Sequence, residues 1–163
     1  MKLMWIISLL VPVVIVVLSA AERPARAEGG ELGNAFVPFD SRIGHFTLEY
    51  SKDWRVNDLS EATSFDENTS AAGLPSFFTV EVDSAGATSL SDLGAKLRTL
   101  RPDINWASAT VGGLAGFGGF DHQIKLIYLL RAPGDQLNLR MRSTDGARSE
   151  EILSHMLGTF RAE

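Results

Sequence analysis

Four cations near the C-terminal end, Lys125, Arg131, Arg140 and Arg142, have the types and spacing to bind an anion or an acidic partner. They flank Ala132-Pro133-Gly134-Asp135, which puts proline and glycine where a type II turn wants them. If that turn sets Arg131 opposite Gln136, then Leu129 faces Asn138, Ile127 faces Arg140 and Lys125 faces Arg142. Alternation then gathers all four cations on one face of a two-stranded ribbon. Like charges so close must be neutralised by Glu81 and Asp83 of another strand, by a helix carboxylate, or by an external anion. Internal ion pairs make the cluster structural. An external anion makes it a binding surface, because arginine matches carboxylates and phosphates geometrically.

Other chemistry finds less support. Serine hydrolysis needs an activated serine beside a histidine, yet no G-x-S-x-G elbow occurs, and His45, His122 and His155 lie scattered. Three histidines could converge on zinc, but none are paired at the spacing of H-E-x-x-H. His155 stands four residues after Glu151, where a surface ion pair is expected, and His45 falls on the polar face of its strand. Asp66-Glu67-Asn68 lacks the pattern of a calcium loop. Asn68-Thr69-Ser70 is a formal glycosylation sequon, without meaning in bacterial export. The run GGLAGFGG, residues 112 to 119, lacks the spacing and lysine of a phosphate loop; its glycines suit a hairpin and close approach beneath a helix. No catalytic, cofactor-binding or metal-ligating residues are assigned, and no cofactor is expected.

The elements that must position the cations come after a leader. Met1 and Lys2 start it, Leu3 to Leu18 is almost continuously apolar, and Ala25-Arg26-Ala27 offers a cleavage site, so residues 1–27 read as a signal peptide. The alternative is an uncleaved anchor, since the apolar run approaches the roughly 20 residues that span a bilayer. Cleavage after Ala27 removes three of 15 basic and one of 20 acidic side chains, leaving 12 and 19 and a net charge of -7. That acidity argues against nucleic acid as a partner. The 163 residues contain no cysteine, which excludes disulfides, thiolate nucleophiles and cysteine-ligated metals. A cysteine-free exported chain fits the bacterial periplasm or exterior.

Residues 28–35 read as a flexible arm and 36–163 as one domain. Alternation predicts a strand from Ile43 to Tyr50, a short strand at Trp54, and strands at Phe77 to Asp83, Ile104 to Val111, Leu114 to Asp121, Ile124 to Arg131 and Gln136 to Ser143. The polar stretch 57–76 holds either a weak strand around Thr63 to Phe65 or a long functional loop. Ser89 with Asp92 opens a helix whose apolar face is Leu90, Leu93, Leu97 and Leu100, and Pro102 stops it. A second helix spans Ala147 to Phe160. Trp54 and Leu97 are expected in the core. Strand 124–131 is apolar on both faces, so it needs cover on both sides. These elements predict an α+β fold, an antiparallel sheet with helices on both faces.

The segments FTLEYSKDWRV, TSFDENTSAAGLPSFFTVEVD with SLSDLGAKL, and IKLIYLLRAPGDQLNLRMRS with ILSHMLGTF resemble the PsbP-like family. The resemblance covers most of the mature chain and implies an α/β/α sandwich. That family includes extrinsic proteins of photosystem II, Ran-binding nuclear-transport relatives and many exported bacterial proteins, none defined by shared catalysis, so no site residue carries over. The expected function is therefore an exported, noncatalytic binding or assembly module acting on a protein or envelope partner. Its rivals are a hydrolase or metal-dependent enzyme whose site assembles from residues distant in sequence, and a structural protein held to the membrane by its leader.

Overall fold

A computed structural model describes residues 35–68, 76–144 and 147–163. The leader, its cleavage site and the arm up to Asn34 lie outside the described residues, as do Thr69 and Ser70 of the sequon. Ten strands and two helices are seen among the described residues: β1 (Phe36–Ser41), β2 (Phe46–Ser51), β3 (Trp54–Asp58), β4 (Ala62–Glu67), β5 (Phe77–Asp83), α1 (Leu90–Leu100), β6 (Ala107–Val111), β7 (Leu114–Asp121), β8 (Ile124–Ala132), β9 (Asp135–Arg142), α2 (Ala147–Thr159) and β10 (Arg161–Ala162). Every strand pair is antiparallel, in a small sheet β1-β2-β10 and a large sheet β3-β4-β5-β9-β8-β7-β6.

The expected α/β/α sandwich, one sheet with a helical layer on each face, is therefore corrected: the described residues are mostly β, and they form two antiparallel sheets and two helices. The small sheet supplies what a helical layer was expected to supply. Phe46 and Leu48 of β2 join Phe65, Phe78, Val80, Ile127, Leu129, Leu137 and Leu139 of the large sheet in one buried cluster, with Ile152, Leu153 and Met156 of α2. Aromatic rings link the two sheets directly, with Phe39 set edge-on to Phe65 at 5.1 Å between centroids. β1 escapes the sequence reading because Pro38 interrupts it. An edge strand tolerates that proline, which takes no donor from a ladder with a strand on one side only.

α1 forms as its sequence demands. The Ser89 hydroxyl accepts from the Asp92 backbone N–H at 3.1 Å, and the helix ends at Arg101, before Pro102. Leu93 and Leu97 pack with Ala87, Ile104, Trp106 and Leu126 in a second, smaller cluster. Leu97 and Trp54 are both buried. Ile104 and Trp106 precede β6 rather than open it, because burial beneath α1 claims their side chains; the Trp106 indole N–H donates to the Arg101 carbonyl at 3.2 Å. The 57–76 stretch does hold a strand, β4, which buries Thr63 and Phe65. Gly112 and Gly113, both at positive φ, make the β6–β7 turn, and a Cβ on Gly119 would collide with Ile104.

Candidate functional site

The β8–β9 hairpin carries all four candidate cations, but not on one face. Leu129 pairs with Leu137, Ile127 with Leu139 and Lys125 with Met141, while Leu126 pairs with Arg140 and Ile124 with Arg142. The expected register is off by one residue because the ladder is irregular between Leu130 and Ala132, where Arg131 sits as an extra residue. Side chains repeat every two residues, so this single step parts the cluster. Arg140 and Arg142 share the α1 side with Leu126 and Tyr128, whereas Lys125 lies on the opposite side with Ile127 and Met141.

Arg131 has become structural. Its guanidinium donates two hydrogen bonds to Asp135, at 2.7 and 3.0 Å, and a third to the Gly44 carbonyl at 2.7 Å. Its side chain is only 14% exposed, and the bond to Gly44 straps the large sheet to the β1–β2 turn. Asp135 neutralises it, in place of the carboxylates expected for that task.

Arg140 and Arg142 lie on the half of the sheet that α1 does not reach. Across β3, β4, β5 and β9, one row reads Arg55, Asp66, Phe77, Arg142 and the next Asn57, Ser64, Thr79, Arg140. A third continues with Ala62, Glu81 and Asn138. Arg140 Nη1 donates to Glu81 Oε1 at 3.3 Å, one of the neutralisations the sequence left open for the cluster, and both side chains remain substantially exposed. The Arg142 guanidinium lies 4.8 Å from the Phe77 ring centroid, stacked on its cross-strand partner. Tyr128 marks the border with the α1 cluster: burial first, and the nearby Glu81 charge second, push its hydroxyl above the usual tyrosine range. Among the described residues no helix or strand covers this half-face. Sequence reasoning missed Arg55, Thr79 and Asn138, although each occupies a polar position in an alternating strand.

Lys125 borders a different feature, a cleft of about 220 Å³ lined also by Phe120, Gln123, Met141, Ser143, Glu150, Leu153, Ser154 and Leu157. The histidines stay apart. His45 and His122 take positive φ in the β1–β2 and β7–β8 turns, so His45 is a turn residue, not the strand residue expected. His155 Nε2 lies 2.8 Å from Glu49 of β2, not paired with Glu151, and its ring stacks on Phe36 at 3.8 Å. Among the described residues no group of three or more His, Cys, Asp or Glu side chains is placed to hold a metal.

Fold and surface together define an antiparallel two-sheet protein in which a polar, arginine-bearing half-face of the larger sheet has no helix or strand over it among the described residues. No family model and no curated protein matches the chain. A crystal structure of a protein from Bacteroides thetaiotaomicron VPI-5482 is similar in fold, with a TM-score of 0.54 at 12% identity, over 77% of this chain and 48% of that one. The chain thus spans about half the length of that neighbour, and at such identity the likeness concerns the fold alone.

Proposed function

We propose that this protein is an exported binding or assembly module that engages a protein or envelope component through the open half-face of its large sheet. The observation that carries this reading is the surface of Arg55, Arg140 and Arg142 interleaved with Asp66, Glu81 and Asn138, left without cover among the described residues. Mixed charge set on a rigid sheet gives specificity and steering more than raw affinity. The apolar leader with its A-x-A site supports export to the periplasm or exterior, and among the described residues no helix is long and apolar enough to cross a membrane. The PsbP-like resemblance supports a role in assembly, since that family is not defined by shared catalysis.

The test uses chain beginning at Glu28 as bait for envelope extract. Arg140→Glu with Arg142→Glu is expected to abolish capture while circular dichroism stays native, and wild-type capture is expected to weaken as salt rises. A second variant, Arg140→Glu with Glu81→Arg, keeps an internal ion pair but inverts its polarity, and it too is expected to lose the partner. Capture retained by either folded variant would overturn the proposal.

A further inference from the structure

On the other side of the large sheet, a row of cross-strand partners runs from Phe65 to Phe78, Met141, Lys125 and Phe120. The first three members are buried, whereas Phe120 at the far end is 66% exposed. Lys125 stands where the apolar row would otherwise continue, beneath Leu153 and Leu157 of α2, and the cleft opens there. Its ammonium has no hydrogen bond or ion pair among the described residues. Glu150 lines the same cleft without pairing to it; that carboxylate lies in the first turn of α2, where the helix end favours negative charge. A half-buried cation among apolar walls, with no ion pair among the described residues, fits a ligand that brings a counter-charge.

We infer that this cleft binds a small monocarboxylate with an apolar body, its carboxylate on Lys125 and its body against Met141, Leu153, Leu157 and Phe120. The dimensions set the size of the body. At about 220 Å³ the cleft falls below the roughly 300–1,000 Å³ of sites for drug-sized ligands. A six-carbon chain or one phenyl ring matches that space. The charge sets the head group: one lysine, with no arginine fork and with Glu150 also lining the cleft, suits a single negative charge and disfavours a phosphate dianion. This site is independent of the open half-face, from which the sheet itself separates it.

Hexanoate titrated into the full chain, followed by NMR of the Met141, Leu153 and Leu157 methyl groups, is expected to give saturable shifts confined to the cleft. Lys125→Gln should weaken binding about tenfold or more, as loss of a charged hydrogen bond does. Glu150→Gln should tighten it, by removing a like charge. Leu157→Phe, which keeps Lys125 but fills the cleft, should abolish binding and guards against Lys125→Gln failing to fold. Hexanol or hexylamine binding as well as hexanoate would overturn the assignment, as would an unchanged affinity in folded Lys125→Gln or the absence of saturable shifts. A peptide ending in leucine that binds where hexanoate does not would also overturn it, in favour of a chain terminus as the occupant.

Discussion

On one face of the large sheet, Phe65, Phe78, Val80, Ile127, Leu129, Leu137 and Leu139 meet the β1-β2-β10 sheet and α2 in a cluster of 16 buried residues. On the other face the buried cluster has six members, Leu93 and Leu97 of α1, Ile104 and Trp106 after it, Ala87 and Leu126, and strands β3, β4, β5 and β9 turn polar side chains outward. Two sheets packed together bury side chains along the whole length of their strands, whereas one helix of 11 residues covers a stripe. Stability therefore concentrates between the sheets. The thinly covered face is where a surface can be given over to binding at small cost to the fold.

The comparison breaks first, if it is wrong, at Phe78. This ring is 0% exposed between the sheets, so Phe78→Ala is expected to cost about 3–5 kcal/mol in denaturant unfolding. Loss of less than about 1 kcal/mol would mean that the sheet-sheet core is not the main source of stability. Leu97→Ala, in the α1 cluster, is expected to cost about 2–3 kcal/mol, the low end for buried leucine. Its site lies near the exposed Leu90 and Leu100, where solvent can reach the vacated space. A larger loss for Leu97→Ala than for Phe78→Ala would invert the ranking of the two cores.

The smallest effect sharpens the comparison by asking whether α1 loosens by itself. Asp92 accepts the Thr88 backbone N–H at 2.9 Å and pairs with Lys96 at 3.1 Å, and these contacts, the backbone bond foremost, hold its carboxyl below the usual range. A carboxylate whose folded value is depressed stabilises the fold above its unfolded value and loses that contribution as pH falls through the folded one. Amides in the first turn of α1 are thus expected to lose protection, measured against their intrinsic exchange rate at each pH, as pH drops below about 4, the unfolded aspartate value. The β8 and β9 amides should stay protected, and Asp92→Asn should remove the pH dependence. Equal loosening of β8 and α1 would show a single cooperative unit instead.

Much of the strand pattern was legible from alternation: Phe77–Asp83 and Leu114–Asp121 emerge with the bounds that side-chain period alone suggests. Ser89 and Pro102 likewise bracket α1, because capping and ring closure act within a few residues. The small sheet was not legible. A proline-bearing edge strand lacks the alternating signature, and the aromatic cover it brings is recognisable only once Phe39 and Phe46 meet the large sheet. The candidate site was half legible: the sequence offered Glu81 among the possible counter-charges, but its pairing with Arg140 needs β5 beside β9, and the cleft at Lys125 needs α2 laid beside the sheet.

The sequence by itself determined which residues sit on strands, which turn joins β8 to β9, and that four cations would sit on that hairpin. Only the tertiary structure decided the faces they occupy. The extra residue at Arg131 is held where its side chain reaches Gly44 in the β1–β2 turn, a contact across 87 positions that no local pattern encodes. Because strand side chains alternate with period two, that one residue sends Lys125 into a cleft under α2 and leaves Arg140 and Arg142 on the open face.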